Sequence, residues 1–273
     1  MIMKTSTSAF LPLFLTLLLL SPYAWAGQPC GELPLEPAET ARATQLGDKV
    51  RDALERSGAE LAFVARVGID MSEFGLHYSH VGVAWRDHPN GRWMTFHLLN
   101  ACGTPRSELL EQPLENFYKV KLFDYDALIA IPSLDVQARL VRAFFSPIGR
   151  QLHQPLYNLI AHPFSTRFQN SNQWLLEVTA AALAPAASIM NREQAQAWLK
   201  ANGYEPSRVR IGTTRRWGSA LFTSHVHFSD HTDEEARSQL YAVVTSDSII
   251  RFFARIDPGM VTTELSLKAE PAK

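Results

Sequence analysis

Three residues in this sequence have the types that nucleophilic acyl chemistry uses, at separations that a fold has to close. His80 opens the run Tyr78-Ser79-His80-Val81-Gly82-Val83-Ala84-Trp85, and His97 closes Trp93-Met94-Thr95-Phe96-His97. Ser171 sits in Phe168-Gln169-Asn170-Ser171-Asn172-Gln173-Trp174-Leu175, ahead of an apolar stripe with helical spacing. Two histidines on neighbouring strands of a hairpin can face each other, one acting as base while the other holds its tautomer. A hydroxyl at a helix N-terminus lies beside free backbone N–H groups and the positive end of the helix dipole, which favour an oxyanion. The alternative at that position is plain capping, since both Asn170 and Ser171 are good N-cap types.

The elements that must bring these residues together can be read from periodicity. Residues 38–57 carry Ala43, Leu46, Val50 and Leu54 at helical spacing and stop at Ser57-Gly58. Strands are expected at Leu61–Val67, Tyr78–Trp85, Trp93–Leu99 and Asp126–Ile131, with Asn90-Gly91 as a hairpin signal. Pro132 ends the last of these, and Ser133 is placed to cap a helix to about Phe145. Residues 146–170 read as irregular. A buried helix follows over Ser171–Leu183, and another is opened by Asn191 with Gln194 in the capping-box position and closed at Asn202-Gly203. Beyond it come strand candidates at 208–212 and 219–228, helical runs near 233–240 and 246–255, and a loose tail after Pro258. The fold class is α+β with a mainly antiparallel sheet.

The order of these features resembles the circularly permuted papain-like superfamily, which includes NlpC-type peptidases and amidases and lecithin–retinol acyltransferase-like enzymes. The resemblance rests on a histidine in a His-x-Gly context on a strand, a polar residue on the next strand, and a nucleophile at a helix start, with Tyr157-Asn158 as lead-in. It covers roughly residues 60–185. It implies a permuted papain-like core over 27–190, with a C-terminal α/β extension over 191–273 packed on it. By the resemblance Ser171 matches the nucleophile, His80 the base and His97 the orienting member, and Tyr157, Asn170 and Trp174 would line the substrate. The superfamily has cysteine where this chain has serine. A serine hydroxyl depends on its base for activation, whereas a thiol is partly ionised at neutral pH. The implied activity is therefore hydrolysis or acyl transfer at an amide or ester, of a cell-wall peptide or a lipid, with no cofactor. The alternative is a binding or accessory protein that keeps the fold without turnover. The whole chain is also similar to a family of exported bacterial proteins catalogued only as a domain of unknown function.

The N-terminus carries its own message. Lys4, a Leu- and Phe-rich run from Phe10 to Leu20, and Ala24-Trp25-Ala26 have the layout of a cleavable signal peptide, with the cut after Ala26. A periplasmic or secreted protein is expected, with no further transmembrane segment. In an oxidising compartment Cys30 and Cys102, the two cysteines, are expected to pair, the alternative being a catalytic thiolate at Cys102. The balance of 26 basic against 27 acidic residues gives no reason to expect nucleic acid as a partner. His225 and His227 share one face of the expected 219–228 strand and, with Asp230 or His231, are candidate metal ligands, although the spacing is not a strong zinc signature. Arg139, Arg142 and Arg215-Arg216-Trp217 read as a solvated basic face.

Overall fold

The first helix, α1 (Pro37–Ser57), follows directly from its periodicity. Ala43, Leu46, Val50 and Leu54 are all fully buried, and Gly58 ends the helix with φ 69°. Each of the three large side chains contributes about 1.5–3 kcal/mol by leaving water. They pack against a six-stranded antiparallel sheet in the order β4-β3-β2-β1-β5-β8. Its strands are β1 (Leu61–Val67), β2 (His80–His88), β3 (Gly91–Asn100), β4 (Ser107–Pro113), β5 (Asp124–Ile131) and β8 (Val261–Ser266). The computed structural model describes residues 34–101, 104–186, 188–213 and 225–268. The leader, both cysteines and Arg215-Arg216-Trp217 lie outside the described residues.

The fold is α+β, three layers deep. One sheet face, with Ala62, Val64, Ala84, Trp93 and Ile129, is covered by α1 and the short α2 (Leu114–Tyr118). The other, with Phe63, Val83, Phe96, Leu98 and Leu128, is covered by helices α3 (Leu134–Phe144), α5 (Ser171–Leu183), α6 (Arg192–Ala201) and α8 (Ser246–Ile256). The strict alternation of strand side chains makes this division possible. The short α4 (Pro147–Gln151) interrupts the segment expected to be irregular. A two-stranded sheet of β6 (Ser207–Arg210) and β7 (Leu240–Val243), joined through α7 (Asp233–Ser238), encloses a small cluster around Tyr241.

The structure corrects the sequence reading in four places. The tail is not loose: Val261–Ser266 pairs along β5 as an edge strand, and α8 brings Phe253 into a ring stack with Phe63. Residues 191–273 thus supply both an edge and part of the core of the main sheet. Ser107–Pro113, not anticipated, is a strand because it pairs residue by residue with β3; its composition, with two Glu and no β-branched residue, gives no strand signal. Residues 225–228, the described part of the expected 219–228 strand, are not in a strand. Arg139 is no solvated cation. Its guanidinium donates to the carbonyls of Ala182, Leu183 and Ala184 and so closes the C-terminus of α5.

Helix α5 is buried on almost every side, and its polar residues are therefore matched. Glu177, fully buried, accepts from Gln169 Nε2 (2.7 Å), Arg192 Nε (2.7 Å), Arg192 Nη2 (3.1 Å) and Gln196 Nε2 (2.8 Å). Burial pushes its carboxyl up, and the Arg192 charge followed by these bonds opposes that. Arg192 and Gln196 also donate to the Ser165 and Thr166 carbonyls, so the cluster fastens the 152–169 segment against α5. Replacing Glu177 with Gln puts an amide donor against Arg192 and should cost about 3–5 kcal/mol, read as a lowered urea midpoint with unchanged m-value.

Candidate active site

Ser171 and the two histidines meet at the start of β2. Asn172 Oδ1 accepts from the Val81 backbone N–H at 3.3 Å, which pins the first turn of α5 to that strand. Asn170 caps the helix: its Oδ1 accepts from Gln173 N at 2.7 Å, and its Nδ2 donates to the carbonyls of Leu159 and Val244. Ser171 is thus the first residue inside the helix and its hydroxyl is not used for capping. Instead Ser171 Oγ lies 3.2 Å from His80 Nδ1, and His80 Nε2 lies 2.9 Å from His97 Nδ1. The far nitrogen of His97, Nε2, is 3.0 Å from Gln112 Nε2 on β4. The Tyr157 phenol is buried near Ser171; burial raises it to about 12, and Ser171 opposes that rise.

The strand register explains the packing of the rings. In the β2–β3 ladder Val83 pairs with Phe96 and Ala84 with Thr95, so the same face carries His80, Gly82, Thr95 and His97. Phe117 of α2 lies over that face, stacked on His80 at 5.6 Å and edge-on to His97 at 5.2 Å. A Cβ on Gly82 would come within 2.9 Å of the Thr95 methyl, 3.0 Å of the Phe117 ring and 3.3 Å of His97 Cβ. The glycine of the His-x-Gly context is therefore a matter of space: without it Phe117 cannot lie on both imidazoles.

Electrostatics keep the pair neutral. His80 is pushed well below the ordinary histidine range by burial, then by the Arg66 cation and by His97. His97 is lowered to about 3 by burial and then by Arg66. Arg66 faces His80 directly across the β1–β2 ladder, and its guanidinium lies 4.6 Å from the Phe117 ring centroid and donates to the Phe117 carbonyl. The first two N–H groups of α5, those of Ser171 and Asn172, have no intrahelical acceptor and sit beside Ser171 Oγ.

The other sequence candidates are placed differently. Trp174 is fully buried, donates to the Gly149 carbonyl at 2.8 Å and packs between Phe96 and Phe144, so it anchors the core and offers no surface to a substrate. His227 stacks on Phe168, and His225 lies edge-on to Tyr157. Asp230 accepts from His162 N and from Asn158 Nδ2, and His231 bonds Glu235 and the Ile160 carbonyl. Among the described residues no three His, Cys, Asp or Glu side chains gather as a metal site. Asn158 bonds both N–H and C=O of His227, stitching the loop after Tyr157 to this segment. Sequence reasoning missed Arg66, Gln112, Phe117 and Asn172. Gln112 went unseen because its strand carries no strand signal. A cavity of about 380 Å³ lined by Trp85, His88, Glu111, Phe145 and Arg150 is separate from Ser171, His80 and His97, none of which line it.

With the geometry in place, comparison with known proteins adds one result. A family model described as uncharacterized proteins conserved in bacteria (DUF2145) matches residues 53–253. The chain belongs to this family. The match spans the whole site and all of the sheet except β8. No curated protein and no solved structure matches the chain.

Two outcomes are expected. Gly82→Ala should destabilise the fold by about 1–3 kcal/mol through overpacking under Phe117. His97 stays neutral in the fold but takes a proton near 6.5 when unfolded. Its contribution is therefore intact above pH 6.5 and is lost as pH falls towards about 3. Urea melts across that window should show the pH slope of stability smaller by about one proton in His97→Asn than in the native chain; equal slopes would contradict a neutral buried His97.

Proposed function

We propose that the protein is an exported serine hydrolase or acyltransferase acting on an amide or ester, with a permuted papain-like core in which serine replaces cysteine. The observation that carries this reading is that Asn170 caps α5 while Ser171 Oγ is turned to His80 Nδ1 at 3.2 Å, with His97 on the other ring nitrogen. A serine acting as a cap would bond the N–H groups of its own helix instead.

The chemistry follows from these positions. Ser171 Oγ attacks the carbonyl carbon of the substrate, and His80 Nδ1 accepts the hydroxyl proton as the bond forms. The carbonyl oxygen becomes an oxyanion facing the first N–H groups of α5. On collapse the C–N or C–O bond breaks, and His80 returns its proton to the leaving amine or alcohol. Water, or an acceptor hydroxyl or amine, then attacks the acyl-serine with His80 again taking the proton. Burial, then Arg66 and His97, disfavour the imidazolium, so His80 stays unprotonated below the ordinary histidine range, and the same interactions oppose the imidazolium that forms when it takes the Ser171 proton. The substrate class, a cell-wall peptide or a lipid acyl group, comes from the superfamily resemblance and the expected export. Among the described residues no helix is long and apolar enough to cross a membrane.

A second reading is favoured by a different observation. Ser171 is only 9% exposed, as suits a protein that holds a ligand against the site without turning it over. Covalent labelling separates the two. A fluorophosphonate probe should modify Ser171 in the native chain, with labelling abolished in Ser171→Ala and lowered at least 100-fold in His80→Ala. In Ser171→Cys the thiol should react with iodoacetamide faster than a surface cysteine and faster than in the same variant lacking His80. Absence of labelling together with ordinary thiol reactivity would leave the ligand-holding reading.

A further inference from the structure

The hydrogen-bonded chain Gln112–His97–His80–Ser171 can carry its protons in only two ways. Both imidazoles are buried and neutral, so each has one N–H and one bare nitrogen. The 2.9 Å link between His80 Nε2 and His97 Nδ1 holds a single proton. If that proton is on His97 Nδ1, then His97 Nε2 is bare and faces the Gln112 amide N–H, and His80 Nδ1 is protonated and donates to Ser171 Oγ. In that state His80 cannot act as a base. If the proton is on His80 Nε2, then His80 Nδ1 is bare and accepts the Ser171 O–H. His97 Nε2 now carries a proton and needs an acceptor, which Gln112 offers once its amide turns by 180° to present Oε1.

The amide at Gln112 is able to serve both states. It presents nearly the same shape after that turn, with oxygen and nitrogen exchanged. Its side chain makes no hydrogen bond among the described residues other than the one to His97, so the turn breaks nothing else. The orientation with Nε2 towards His97 is the one that switches the base off. We propose that Gln112 is the positioning residue that selects the ring tautomers of the His97–His80 pair, and through them decides whether His80 Nδ1 can take the Ser171 proton. A donor in place of Gln112 locks the relay off, and an acceptor locks it on. The catalytic consequence rests on Ser171 being the nucleophile; the tautomer coupling does not.

The test pairs Gln112→Glu, which only accepts, with Gln112→Lys, which only donates, and uses Gln112→Leu as the neutral variant without polarity. Long-range nitrogen–proton NMR on ring-labelled histidine reads directly which nitrogen of His80 carries the proton; assignment comes from His80→Gln and His97→Gln. In Gln112→Glu, His80 should be protonated on Nε2 with Nδ1 bare. In Gln112→Lys the pattern should reverse. If Gln112→Lys does not fold, Gln112→Leu takes its place against Gln112→Glu, and a smaller Nε2–H fraction is expected. Fluorophosphonate labelling of Ser171 should be at least native in Gln112→Glu and fall 100-fold or more in Gln112→Lys, as a wrong imidazole tautomer costs about 10⁴ in rate when a serine protease loses its orienting carboxylate to an amide. The same His80 tautomer in Gln112→Glu and in the donor or neutral variant overturns the proposal. Tautomers that move with no labelling in any form keep the proposal and remove the nucleophile reading.

Discussion

The amide of Asn170 closes the N-terminus of α5, and that choice frees the next residue. A helix buried as deeply as α5 cannot leave its end groups unmet, because water is not there to meet them. Asn170 Oδ1 takes the Gln173 N–H, and its Nδ2 spans to the Leu159 and Val244 carbonyls, so one side chain fixes the helix to two neighbouring segments. Asn172 then fixes the same turn to β2. Between them the Ser171 hydroxyl has no structural duty, and its contact with His80 is available for chemistry. Arg139 performs the matching task at the other end. The position of Ser171 is thus set by helix-end accounting before any catalytic requirement enters.

The histidine pair is held by a different constraint. Phe117 can lie on both rings only because Gly82 lacks a side chain, and the burial this produces makes the imidazolium form costly. Arg66, opposite His80, adds to that cost. A neutral pair has one proton to share between the facing nitrogens, so its hydrogen-bond directions are correlated from end to end. That correlation gives Gln112, two rings away from Ser171, a hold over the serine. It is a consequence of counting donors and acceptors and needs no movement of the backbone.

Much of this was legible in the chain. The α1 stripe, the β2–β3 hairpin and the full extent of α5 follow from periodicity and the Asn-Gly turn. The trio His80, His97 and Ser171 was named from residue type and order, and these three side chains do meet. What stayed hidden shares a cause. β4 has little strand character of its own and is a strand because β3 offers a partner, while β8, short and following Pro258-Gly259, is fixed by its pairing with β5. Gln112 belongs to β4 and was lost with it, while Trp174, read as a substrate contact, is taken up by the core.

By itself the sequence determined the local elements and the order in which possible reacting groups occur, because periodicity, caps and turns are short-range properties. It also determined that α5 would be buried, since Trp174, Leu175 and Val178 have to leave water. Only the tertiary structure decided which of two capping residues closes α5, which way His225 and His227 turn, and which polar residue ends the histidine chain. Each of those choices is a competition among donors and acceptors brought together from distant parts of the chain. Such a competition is settled by which groups lose their water together, and no local pattern encodes that.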